Sequence, residues 1–95
     1  MSEGEPTLKC VIAWSDRRSL CSLVADALET RVGARDVLRL GDDAFAVYGT
    51  AAPDEIRDWV AGVLDPEESV LVFEFEKWSG HGPAVDAAWL MRRGH

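Results

Sequence analysis

Cysteine, histidine, tyrosine and long apolar runs are all scarce in this chain of 95 residues, and each scarcity excludes something. Two Cys and two His without paired spacing make no zinc signature. Cys10 and Cys21 fall in an expected strand and an expected helix, so both read as small buried hydrophobes of a reducing compartment rather than a disulfide. No stretch approaches the roughly 20 apolar residues of a membrane helix, and the acidic, polar start from Met1 to Pro6 is unlike a signal peptide. A cytoplasmic location is the expectation. Arginine far outnumbers lysine, and Ala, Val, Gly and Asp abound, as in GC-rich bacterial genomes.

Positive charge is also short. Ten Lys and Arg face 17 Asp and Glu, a net charge of −7. Such a field repels phosphate backbones and anionic lipid, which argues against nucleic acid and membrane and favours a basic protein partner. What the chain does hold is apolar surface: 47% hydrophobic residues, with four Trp and three Phe. Each ring, once buried, contributes roughly 2–3 kcal/mol, enough for one small domain to fold without metal or disulfide. No cofactor is expected.

Periodicity divides the chain. Residues 1–7 read as a disordered tail. Residues 8–14 are short, apolar and rich in β-formers. Ser15 or Asp16 then caps a helix whose stripe is Leu20, Leu23, Val24, Ala27 and Leu28, stopped by Gly33. Residues 36–40 and 44–48 flank Gly41-Asp42-Asp43 as a hairpin. Pro53 opens a second helix carrying Ile56, Trp59, Val60, Val63 and Leu64, and residues 69–76 alternate as a strand.

Over residues 8–76 this order resembles the ferredoxin-like α+β fold, βαββαβ. That architecture implies an antiparallel sheet ordered 4-1-3-2 with both helices on one face. Many unrelated functions share it. Residues 77–95 add a loop and a short helix from Ala84 to Arg92, expected to cover the free sheet face or a dimer interface.

Alternation sorts the strand residues into two sets. The larger side chains are Cys10, Ile12, Trp14, Leu38, Leu40, Phe45, Val47, Leu71, Phe73 and Phe75, and they are assigned to the helix-side core. The other set includes Val11, Ala13, Ala46, Tyr48, Val70 and Val72, a shallow floor of mostly small side chains too apolar to stay wet. Trp89 from the tail, or a second subunit, would cover it. Trp78, Val85, Trp89, Tyr48, Val70 and Val72 are therefore the expected interface residues, and a homodimer is the expected assembly.

Chemistry has three candidates. His81 lies between glycines after Trp78, with Glu74 and Glu76 upstream, so it could act as acid or base with a carboxylate orienter. Arg17 and Arg18 at the expected helix start could hold an anion, or could pair with Asp42, Asp43, Asp65, Glu67 and Glu68 at the same end of the sheet. Those carboxylates lack the ordered spacing of a calcium loop, so no metal is expected. An RNA-recognition domain needs outward aromatics and a basic surface, whereas here only Tyr48 is expected to face out and the net charge has the wrong sign.

The expectation is a small acidic non-enzymatic protein-interaction or regulatory module, of an immunity or antitoxin type or an assembly subunit. The alternative is a small dimeric enzyme or ligand-binding protein. Its pocket would lie between the free sheet face and the C-terminal segment, with His81 as its working residue.

Overall fold

A computed structural model describes residues 5–94. Its strands are β1 (Thr7–Trp14), β2 (Val37–Arg39), β3 (Ala44–Gly49) and β4 (Ser69–Phe75). The helices are α1 (Cys21–Val32), α2 (Pro53–Ala61) and α3 (Ala87–Gly94), with a short 3₁₀ turn at Ala34–Asp36. All pairings are antiparallel and the order is β2-β3-β1-β4, the expected order read from its other edge. The domain is thus α+β, one four-stranded sheet with three helices. Thr7, assigned to the tail, opens β1, and residues 1–4 of that tail lie outside the described residues.

The helix-side core joins Leu20, just before α1, and Val24 and Leu28 within it, at four-residue steps, to Ile56 and Val60 of α2. Beneath them the sheet presents Val11, Ala13, Phe45 and Val47, flanked by Val37, Val70 and Val72. This reverses most of the expected faces. Of the ten residues assigned to the helix side only Phe45 and Val47 lie there, and Val70 and Val72 leave the free face for the core.

Two physical reasons account for the reversal. First, the helices bring the long side chains, so close packing of the two layers leaves room mainly for small β-branched residues on the strands. Second, a three-residue hairpin loop sets Leu40 opposite Ala44, where Leu40 N–H donates to Ala44 O at 2.8 Å. That register places Leu38 beside Ala46 and Arg39 beside Phe45, so Leu38 and Leu40 cannot share a face with Phe45 and Val47.

One polar side chain enters this layer. Lys9 is buried, and its Nζ donates to Gly49 O at 2.7 Å and Thr7 O at 3.4 Å. Burial lowers its pKa, and the charges of Glu74 and Glu55 oppose that shift.

The helix ends follow local hydrogen bonding. Ser15 Oγ accepts the Arg17 N–H at 3.1 Å, which turns the chain instead of capping a helix, so residues 15–20 are loop and α1 starts at Cys21. Pro53 occupies the first turn of α2, and Glu55 Oε1 accepts the Ala52 N–H at 2.8 Å. The tail helix starts at Ala87 rather than Ala84 because Asp86 Oδ1 accepts the Trp89 N–H at 3.0 Å, an N-cap bond.

The face assignment has a direct test in denaturant unfolding. Phe45→Ala is expected to cost about 3–5 kcal/mol, because it empties a site closed on all sides. Phe73→Ala, on the opposite face and 43% exposed, is expected to cost under about 1.5 kcal/mol. Equal costs would overturn the assignment.

Candidate interaction surface

The face away from α1 and α2 carries Leu8, Cys10, Ile12 and Trp14 of β1 and Leu71, Phe73 and Phe75 of β4. Leu38, Ala44, Ala46 and Tyr48 complete it on β2 and β3. Its cover is uneven. Trp89 and Leu90 of α3 pack with Leu8 and Ala46, and Leu38, Leu40, Tyr48, Phe75, Trp78 and Val85 surround them. Four of the six expected interface residues, Trp78, Val85, Trp89 and Tyr48, therefore meet in one cluster, within the chain itself.

A set of polar contacts fixes this cover. Trp89 Nε1 donates to Arg35 O at 2.9 Å. The Arg93 guanidinium lies 4.3 Å from the Trp89 ring centroid, donates to Arg35 O at 2.7 Å and pairs with Asp36 Oδ1 at 3.1 Å. All of these ties hold α3 at the β2 end of the sheet.

The β1–β4 side is left open. Trp14 is 43% exposed, Leu71 51% and Phe73 43%. Leu71 is paired with Ile12 and Phe73 with Cys10, so the side chains form one strip along two adjacent strands. Where strip and cover meet lies a pocket of about 300 Å³ bordered by Cys10, Phe73, Phe75, Trp78, Val85 and Leu90. The Trp78 Nε1 is buried, and among the described residues it has no hydrogen-bond partner. Burial also raises the pKa of the Cys10 thiol, which favours its neutral form.

The catalytic candidates are not brought together. His81, Glu74 and Glu76 are all exposed, and among the described residues no hydrogen bond or ion pair joins His81 to either glutamate. Glu74 instead accepts from Thr7 Oγ1 at 3.3 Å. His81 does not border the pocket beside Trp78. Among the described residues, no group of three His, Cys, Asp or Glu is placed to hold a metal ion, and no helix is long and apolar enough to cross a membrane.

Arg17 and Arg18 sit in the loop after β1, not at a helix start, and their side chains reach across to the loop before β4. Arg17 pairs with Asp65 at 3.0 Å and Glu67 at 3.4 Å. Arg18 grips both oxygens of Glu68 at 2.7 Å, and Glu68 also accepts the Asp65 N–H at 2.9 Å. The two-bond grip of Arg18, then the Asp65 N–H, hold the Glu68 carboxyl down to about 2. Both guanidiniums thus already have carboxylate partners in the fold.

Sequence reasoning missed the strip. The size of Trp14, Leu71 and Phe73 points to the core, and no local signal in β1 or β4 says otherwise. Comparison with protein-family models, with curated proteins and with solved structures finds no match.

Two expectations follow. Trp89→Ala should lower stability by about 3–5 kcal/mol and speed amide exchange in β2 and β3, whereas Trp89→Phe, which keeps one ring but loses the second ring and the N–H donor, should cost less, about 1–3 kcal/mol. Unchanged exchange in Trp89→Ala would show that the tail does not cover the sheet. The second concerns acid. A carboxyl whose folded pKa is depressed stabilises the fold above its unfolded value, near 4.5, and loses that contribution as pH falls toward about 2. Melting temperature should therefore drop over that window in the natural protein, and the drop should be smaller in Glu68→Gln.

Proposed function

We propose that this protein is a non-enzymatic protein-interaction module, and that its working surface is the uncovered strip of Trp14, Ile12, Cys10, Leu71 and Phe73. The observation that carries the reading is three large apolar side chains, each 43–51% exposed, on two hydrogen-bonded strands. A strip of this kind is a poor surface to leave in water and a good one to bury against protein. The net charge of −7 favours a basic rim on the partner. An inhibitor of the immunity or antitoxin type meets those terms, and so does a subunit of a larger assembly in the cytoplasm. The element and strand order support a ferredoxin-like framework for it. His81, Glu74 and Glu76 have no catalytic part in this reading.

Pull-down from the native host tests it. The tagged protein should capture a defined protein, its own chain included. Leu71→Asp combined with Phe73→Asp should reduce that capture about tenfold or more while the melting temperature stays within a few degrees. Capture that survives the double substitution would remove the strip from the mechanism.

A further inference from the structure

The two edges of the sheet are built differently. The β2 edge is three residues long, its Arg39 is tied to Asp42 at 2.7 Å, and the α3 contacts to Arg35 and Asp36 lie beside it. The β4 edge runs for seven residues without proline, lysine or bulge, and its register with β1 is unbroken from Leu8 opposite Phe75 to Trp14 opposite Ser69. Glu74 is the one charged side chain within that strand, and the other usual guards against edge pairing are missing from it.

The direction of its free backbone groups follows from one hydrogen bond. Ala13 N–H donates to Asp43 O at 2.9 Å, on the β3 side. Successive residues of an antiparallel strand turn their N–H and C=O to alternate sides, so Cys10 and Ile12 address β4, and Phe73 and Leu71 answer them. Val70, Val72 and Glu74 are left holding theirs outward.

We infer that the partner of this edge is a second copy of the chain, paired antiparallel through β4 about a two-fold axis at Val72. This proposal goes beyond the interaction reading, because it concerns the backbone edge of the sheet and leaves the strip on its face open to a further partner. Centred on Val72, all three outward-facing residues find outward-facing mates: Val72 meets its own copy, and Val70 meets the partner's Glu74 twice over. No shift along the strand satisfies as many. The same register sets Leu71 against the partner's Phe73 on the open face, which joins the two exposed strips into one.

Charge fits this register too. Arg57 borders the groove along Val70, Leu71 and Val72, sharing it with Asp54. Its guanidinium is exposed and, among the described residues, pairs with the adjacent Asp58 alone, at 2.9 Å. Pairing brings the partner's Glu74 beside Val70 and so to Arg57, and symmetry makes that contact twice. Four strands and four strands become one continuous sheet, with the β2 edges as its outer borders.

Light scattering on the eluting protein should give twice the 10.4 kDa chain mass at sub-millimolar concentration. Arg57→Glu should weaken the dimer about tenfold, and adding Glu74→Arg should restore it. In a background of Cys10→Ser and Cys21→Ser, Val72→Cys should form an intermolecular disulfide under mild oxidation, since facing Cα atoms lie about 5.5 Å apart in a hydrogen-bonded pair. Val70→Cys, four positions out of register with its own copy, should not. A monomer at every concentration overturns the proposal, as does equal cross-linking at the two positions. A monomer whose capture of another protein is still lost on Leu71→Asp with Phe73→Asp would end the pairing and leave the interaction reading standing.

Discussion

The structure depends on a central strand that is apolar on both sides. β1 lies between β3 and β4, and it presents Val11 and Ala13 to one face and Leu8, Cys10 and Ile12 to the other. Water must be kept from both faces, at roughly 25 cal/mol for every Å² of apolar surface. The helices α1 and α2 close the first face over β1 and β3, where Val11, Ala13, Phe45 and Val47 are buried. The second is left to α3, eight residues long, which closes only the part near β2 and β3. The exposed strip is what remains when a small chain has two layers to cover and helices enough for about one and a half.

The split between the faces also governs side-chain size. On the helix side, Leu20, Leu28 and Ile56 descend onto a floor of valines and one alanine, and Phe45 is its one ring. The reverse holds on the other side, where the strands supply the large residues and the tail adds two tryptophans and a leucine. Bulk therefore marks the thinner cover, because a single short helix leaves more volume for strand side chains to fill.

Element order, strand order and the helical stripes were legible in the sequence, since each rests on local periodicity. Which sheet face meets the helices was not, because both faces are apolar and alternation separates them without naming them. The hairpin loop contained part of the answer: three residues between Leu40 and Ala44 fix which side chains share a face. The clustering of Trp78, Val85, Trp89 and Tyr48 was legible because these were the large side chains that the bare architecture left unplaced. The strip at Trp14, Leu71 and Phe73 was not, since exposure is set by how far α3 reaches and not by the strands that carry it. The start of α1 was misplaced for a local reason, a Ser15 hydroxyl that serves a turn as readily as a cap.

Gly33 has an effect well away from its own position. Its φ of +89° is one that side-chain-bearing residues rarely adopt, and it throws the chain out of α1 into the turn that carries Arg35. The Arg35 carbonyl is the anchor for both Trp89 and Arg93. One backbone torsion at the end of the first helix therefore acts as a lever on the last. By aiming a single carbonyl, it sets how much grease the far side of the molecule shows.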